Sequence, residues 1–371
     1  MKVWPVVGIA ALQAFLFFGH WFIYFTYVSF LSLGNSAAFA VRIALFVLSL
    51  SFIFAALLSY RYSNWLVASL YKLAAVWLGL LNFLFWAACL CWIIELPLRL
   101  AEVPAVADRH LWIGAICFGA AFVAAIYGMV NARWIRERHV SVTLSDLPGS
   151  WRGRTALLIS DMHLGNINGA SFSRRVAAIA RRLDPAIIFI AGDLFDGSKV
   201  DADRLAGPLF AMAPPFGVYF CGGNHEDFGD AAEFSAVLTR GGIRVLHNEH
   251  VTVEGLHVVG VSYIDSTYPL RLRVFLDSLQ LENNSASILL NHVPNRLPIV
   301  EQAGLSLQLS GHTHGGQIFP FTWITRRAFG KFTYGLQRFG KLQVYTSSGA
   351  GTWGPPMRVG SHPEVVLLRF A

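Results

Sequence analysis

Five short clusters bring together side chains that can bind metal or move protons: Asp161-Met162-His163, Gly192-Asp193-Leu194-Phe195-Asp196, Gly222-Gly223-Asn224-His225-Glu226, Asn291-His292 and Gly311-His312-Thr313-His314. On an extended segment the i, i+2 spacing puts Asp161 and His163 on one face. Gathering this many carboxylates, imidazoles and amides at one edge without a metal would be costly to desolvate and hard to pair. Each cluster alone is a weak signal, because the chain holds 12 histidines. His110, His139, His247, His250, His257 and His362 are read as ordinary solvated or hydrogen-bonded rings. The force of the clusters lies in their order and in what precedes them.

What precedes each is a short apolar run: Ala156–Ser160, Ala186–Ala191, Gly217–Cys221, Ile288–Leu290 and Leu307–Leu309. Continuous runs of this length fit strands buried on both faces. Helical patterns lie between them, for example Arg174–Leu183 after a cap at Ser171 or Ser173. Strand and helix alternation predicts an α/β domain whose ligands gather beyond the carboxyl ends of the strands. Three clusters begin with glycine, which lets the backbone turn sharply and approach a ligand closely. Val140–Leu144 alternates with period two and predicts a strand, Asp146–Gly153 a turn, and Trp134–Arg138 a basic continuation of the segment before it.

The chain has 371 residues, 55% hydrophobic and only 14% charged, with a net charge of +7. Residues 1–132 hold six of the Lys and Arg residues and three of the acids, a net +3 against +4 for the remainder. Val3–Leu33, Ala37–Tyr60, Leu73–Leu96 and Leu111–Val130 are each long and apolar enough to span a bilayer. Ser36-Ala37-Ala38 resembles a signal cleavage site, but the first apolar stretch exceeds a signal core and more spans follow, so it is read as a span. Four spans put both termini on one side. That side carries Lys2, Arg61, Lys72, Arg133, Arg136 and Arg138, so the positive-inside rule places residues 133–371 in the cytoplasm of a cell bounded by this membrane. His20 is the one histidine within a span, and transport would need several convergent ionisable groups, so the spans are read as an anchor. Cys89, Cys91, Cys117 and Cys221 show no disulfide or zinc-ribbon spacing. The expected division is 1–132 transmembrane, 133–153 basic linker and first strand, and 154–371 the catalytic domain.

The five clusters, in this order, resemble the signature of the calcineurin-like metallophosphoesterases: D-x-H, G-D-x-x-D, G-N-H-[DE], H and G-H-x-H. The resemblance covers about residues 140–371 and extends to Gly311–Gln317 and to the tail Ser347–Glu364, which are similar to a bacterial membrane-associated phosphodiesterase branch. It implies a four-layer α/β/β/α sandwich around two divalent metal ions. By the same resemblance Asp161, His163, Asp193 and His314 would hold one ion, and Asp193, Asn224, His292 and His312 the other. Mixed nitrogen and oxygen donors without thiolate suit Mn²⁺, Fe or Zn, and Mn²⁺ is the first expectation. Two such ions would activate water for attack on phosphorus. His225 would protonate the leaving group, paired with the Asp196 carboxylate, which fixes the imidazole tautomer and favours its cation.

Two departures narrow the substrate. Gly197-Ser198 stands where phosphoprotein phosphatases have Arg-Gly, and His225 stands where lipid A-pathway pyrophosphatases have arginine. The expected substrate is a phosphodiester or pyrophosphate, lipid-linked or close to the membrane. The rivals are a soluble-substrate phosphodiesterase, a nuclease, and a membrane sensor that keeps the fold without catalysis. No nucleic acid is expected as partner, because the +4 is spread over the domain and the spans hold it at the membrane. Oligomeric state is not set by the sequence. Residues 319–341 carry five bases, no acid and many aromatics, so Trp323, Arg326, Arg327 and Lys331 are expected to dock a membrane or a substrate phosphate.

Overall fold

The computed structural model describes residues 3–104, 108–279, 281 and 285–371. The chain divides into two compact units, Met1–Val130 with Gly354–Met357, and Asn131–Trp353 with Arg358–Ala371. In the first unit, α1 (Val3–Leu31), α2 (Asn35–Arg61), α3 (Trp65–Leu100) and α4 (Arg109–Ala132) are continuous helices. Each is long and apolar enough to cross a membrane. At 36 residues, α3 starts eight residues before the span expected at Leu73. It is about 54 Å long at 1.5 Å per residue, well beyond a hydrocarbon layer of about 30 Å. Both ring nitrogens of His20 are engaged, Nδ1 with the Leu16 carbonyl at 2.7 Å and Nε2 accepting from Trp77 Nε1 at 2.9 Å. That pairing satisfies His20 within the helices themselves.

The second unit begins with β1 (Arg136–Val142) and β2 (Thr155–Ile159), then α5 (Ala170–Leu183), β3 (Ile187–Ala191), α6 (Ala202–Ala206), β4 (Val218–Cys221), α7 (Asn224–Phe228) and α8 (Ala231–Arg240). It continues through β5 (Ile243–Val245), β6 (Glu249–Val253), β7 (Leu256–Gly260), α9 (Tyr263–Thr267), α10 (Pro269–Ser278), β8 (Ser287–Leu290), α11 (Leu297–Gln302) and β9 (Leu307–Ser310). It ends with α12 (Phe321–Phe329), β10 (Gly335–Phe339), β11 (Leu342–Thr346) and β12 (Glu364–Phe370). Two six-stranded sheets result, ordered β1-β12-β2-β3-β4-β5 and β10-β11-β9-β8-β7-β6. Strands β2 to β5 are parallel, as are β7, β8, β9 and β11. Period-two alternation splits each central strand between two cores. Ala156 and Leu158 face Val258, Ile288 and Leu309 between the sheets, while Leu157 and Ile159 pack outward against Val176 and Ala180 of α5. On the far side, Leu272 of α10 and Val300 of α11 cover Val259, Leu289 and Val344. The unit is therefore the four-layer α/β/β/α sandwich, and burial on both faces is why its strands read as unbroken apolar runs.

Three local expectations change. Residues 136–138 extend no helix; they open β1, where Arg136 pairs with Glu364 in parallel register. Helix α5 starts at Ala170 after Gly169, so Ser171 and Ser173 lie inside it, and the Ser173 hydroxyl donates to the Leu205 carbonyl instead of capping. The turn at 146–153 contains a short 3-10 segment, Gly149–Trp151, whose Trp151 is fully buried and donates Nε1–H to the Val253 carbonyl.

Candidate metal centre

The parallel strands β2, β3, β4, β8 and β9 all release the chain at one edge, and each cluster begins where its strand stops. Main-chain bonds lock the clusters together: Asp161 N–H donates to Gly192 O (3.0 Å), His163 N–H to Asp193 O (3.0 Å) and Gly311 N–H to His292 O (2.9 Å). Asp161, His163, Asp193, His312 and His314 all have left-handed φ, between 46° and 69°. Non-glycine residues pay about 1–3 kcal/mol each for such strain, and it persists only where the surroundings over-determine it. Two glycines show why the motif spacing is strict. A Cβ on Gly311 would stand 2.2 Å from Asp161 Oδ2, and one on Gly192 (φ 81°) 2.4 Å from the His292 ring.

The seven expected ligands converge. His163 Nε2 and His314 Nε2 face each other at 3.0 Å, with Asp161 Oδ1 3.5 Å from the latter. Two ligands about 2.1 Å from one ion at roughly a right angle would be separated by about that much. On the other side His292 Nε2 lies 3.1 Å from Asp193 Oδ2, and His312 Nδ1 lies 2.9 Å from Asn224 Oδ1. Asp193 Oδ2 is also 3.8 Å from His163 Nε2, so this one oxygen reaches both groups. Asp161 Oδ2 is buried and makes no hydrogen bond, which is the mark of a donor aimed at an ion. The residues present thus fit two metals.

Electrostatics prepares most of the donors. Burial holds His163 and His314 far below the usual imidazole range and brings His312 down to about 4, so these rings are neutral and their lone pairs free. Burial would do the same to His292, but the adjacent Asp193 carboxylate outweighs it and pushes this ring up to about 10. Burial opposes ionisation of Asp193 too, yet His292 and His163 hold it well below the carboxylate range. Asp161 is raised to about 6, first by burial and then by the charge on Asp193.

His225 sits beside this cluster, its ring 4.7 Å from that of His163, with a ring nitrogen within 4.8 Å of the His163 and Asp193 donor atoms. The expected carboxylate partner is corrected. His225 Nδ1 meets the Asp196 main-chain carbonyl at 2.9 Å, while the Asp196 carboxylate accepts from Ser198 N–H (2.9 Å), the Ser198 hydroxyl and Asn166 N–H (3.1 Å). The turn bends the side chain back over its own loop, so only the backbone reaches the imidazole. Phe228 and Trp353 flank the His225 ring at 5.4 and 5.7 Å, and are 60% and 54% exposed. Trp353 is held there by two bonds to the Gln317 amide, each 2.9 Å.

Two buried charges had no assigned role. The Glu226 carboxylate accepts N–H bonds from Asp193, Phe195 and Gly223 (3.0, 2.9 and 2.7 Å), bracing the loop that carries Asp193. The bond from Gly223 N–H is the return half of a capping box, an acid three residues into the helix that accepts from the N-cap N–H. Arg358 is fully buried and donates to the carbonyls of His314, Ser348 and Gly351 (2.7, 2.7 and 2.6 Å). It ties the His314 loop to the 348–351 loop, where Gly351 N–H donates to Asp161 O at 2.9 Å. Trp323, Arg326, Arg327 and Lys331 are exposed on or just after α12 and take no part in the cluster.

A sandwich with seven such donors at its strand ends has the makings of a metal-dependent hydrolase site. The calcineurin-like phosphoesterase profile matches residues 154–316. A Danio rerio transmembrane protein with a metallophosphoesterase domain is 31% identical over 324 residues, 82% of this chain and 74% of that protein. A Caenorhabditis elegans metallophosphoesterase is 34% identical over 248 residues, 62% of this chain but only 51% of that protein. A Campylobacter jejuni metallophosphoesterase is 29% identical over 255 residues, 67% of each chain. This chain belongs to the calcineurin-like metallophosphoesterase family and is a metal-dependent phosphoesterase.

Proposed function

We propose that this protein is a membrane-anchored phosphoesterase that uses two divalent ions to hydrolyse a phosphodiester or pyrophosphate bond in a lipid-linked or membrane-proximal substrate. The observation that carries the reading is the convergence of Asp161, His163, Asp193 and His314 on one side and Asp193, Asn224, His292 and His312 on the other. Bound there, the ions would supply Lewis acidity for the phosphoryl oxygens and activation of a water. Mixed nitrogen and oxygen donors without thiolate suit Mn²⁺, Fe or Zn, and Mn²⁺ is the first ion proposed.

The chain's own residues do the rest. His225, oriented through Nδ1 by the Asp196 carbonyl, donates a proton to the leaving oxygen. Glu226 keeps the Asp193 loop rigid through three N–H bonds. Phe228 and Trp353 bound the path on either side of the acid, so the leaving group passes between two apolar rings. The four apolar helices supply the anchor, and the excess of Lys and Arg on the side shared by the termini supports a cytoplasmic catalytic unit at a bacterial inner membrane.

The full-length chain in detergent, loaded with Mn²⁺ and offered a diester, a monoester and a diphosphate with a common chromophore, tests the reading. Faster cleavage of the diester or diphosphate supports it; exclusive monoester cleavage contradicts it. Fluorescent and alkaline phosphatase fusions at residue 371 test the orientation, and phosphatase activity without fluorescence would reverse it.

A further inference from the structure

We propose that α12 is a bilayer-docking element that seats the mouth of the metal centre on an anionic lipid surface. The inference deepens the proposed function by naming a membrane as the source of substrate. Helix α12 has no buried residue. Thr322, Thr325 and Phe329 form its inner stripe, and the opposite side presents Trp323 and Ile324, which are 67% and 60% exposed, with Arg327 between them around the helix; Phe321, 51% exposed, stands at the edge of the inner stripe. Phe319 extends the patch, its ring edge-on to Trp323 at 4.8 Å. Large apolar side chains left in water carry a cost that a covering partner would remove.

Charge selects the partner. Between residues 319 and 341 stand Arg326, Arg327, Lys331, Arg338 and Lys341, with no acid in the segment. Among the described residues none of these five joins an ion pair with another side chain. Tryptophan and phenylalanine interleaved with unpaired cations match an interface whose outer layer is anionic and whose inner layer is hydrocarbon. The same chain carries four helices long and apolar enough to cross a bilayer, so such a surface is always within reach.

The mounting of α12 links docking to the site. Gly316, two residues after His314, lies so close to the helix that a Cβ there would stand 2.3 Å from the Thr322 Cα. The Thr313 hydroxyl, between His312 and His314, donates to the Thr333 carbonyl at 2.7 Å, and the Thr333 hydroxyl donates back to the Thr325 and Gly330 carbonyls at 3.2 and 2.8 Å. The Phe329 ring lies 6.1 Å from that of His312. A lipid surface that takes the outer stripe therefore lies one helix away from the loop that carries His312 and His314.

The test uses the full-length chain in vesicles of equal phosphatidylglycerol and phosphatidylcholine, with Trp323→p-benzoylphenylalanine or Ile324→p-benzoylphenylalanine, and Ala236→p-benzoylphenylalanine on α8 as the exposed control. Irradiation should give phospholipid adducts at 323 and 324 and none at 236. Adding Arg326→Ser and Arg327→Ser should lower the docked-to-undocked ratio roughly 30-fold, from about 1 kcal/mol per cation near an anionic surface. Adducts to a second copy of the chain, or no adduct at either position, would overturn the proposal. Crosslinking reads position and not turnover, so its failure would leave the phosphoesterase reading standing.

Discussion

His225 Nδ1 meets the main-chain carbonyl of Asp196 at 2.9 Å, and the Asp196 carboxylate points elsewhere, into Ser198 and Asn166. The imidazole is therefore oriented by backbone, and the side chain of Asp196 supports the loop. Asp196→Asn should keep most activity, losing on the order of tenfold or less, whereas His225→Ala should lose about 10²- to 10⁴-fold in kcat with an unactivated leaving group. That deficit should shrink for a nitrophenolate, which leaves without a proton. Equal losses in both variants would mean that the carboxylate acts on the imidazole directly.

Gly311→Ala isolates the close approach to Asp161. The added Cβ would stand 2.2 Å from Asp161 Oδ2 and 2.8 Å from Ser160 Cβ, in a backbone conformation that alanine adopts freely. Overpacking of this kind costs about 1–3 kcal/mol, and here the atom that must move is a ligand. Metal analysis should find the variant depleted of one ion while it remains folded. Full metal content would show that the carboxylate can retreat without cost.

Metal uptake should release protons. His292 is held protonated up to about 10 by Asp193, and its Nε2 can bind an ion only after losing that proton. The release should be present at neutral pH and fade as the pH rises past about 10, where the ring is already neutral. Titration calorimetry in buffers of different ionisation enthalpy measures it. An enthalpy independent of buffer would contradict the ion pair seen between Asp193 and His292.

Arg358→Met should destabilise the catalytic unit by about 3 kcal/mol or more, because three buried carbonyls lose their donor at once, each worth roughly 1–3 kcal/mol. Arg358→Lys should recover only part of this, since an ammonium cannot span the same fork. Thermal unfolding followed by tryptophan fluorescence compares the three proteins.

The converging donors were legible because each stands where an apolar run stops, and runs such as Ala186–Ala191 are recognisable from composition alone. The sandwich itself came from the resemblance of those clusters to a family, and the two cores of β2 then account for it physically. Residues 136–138 misled because Arg-Glu-Arg has no strand periodicity; β1 forms only by pairing with β12, more than two hundred residues away. Arg358 was invisible for the same reason. It sits in an irregular tail, and its partners at 314 and 348–351 meet it only after both loops close over the site. The Asp196 carboxylate was misplaced because spacing fixes which residues are near but not how a turn aims a side chain.

Asp193 Oδ2 lies within reach of both donor groups, and the proposal is that it serves two ions at once. Metal content and hydrolysis of bis(p-nitrophenyl) phosphate, measured together on the full-length protein and on Asp193→Ala, test this most directly. The native chain should bind about two Mn²⁺, lose activity on chelation and regain it with Mn²⁺, whereas Asp193→Ala should hold neither ion and stay inactive. Activity that survives chelation, or Asp193→Ala that keeps a full complement of metal, would contradict it.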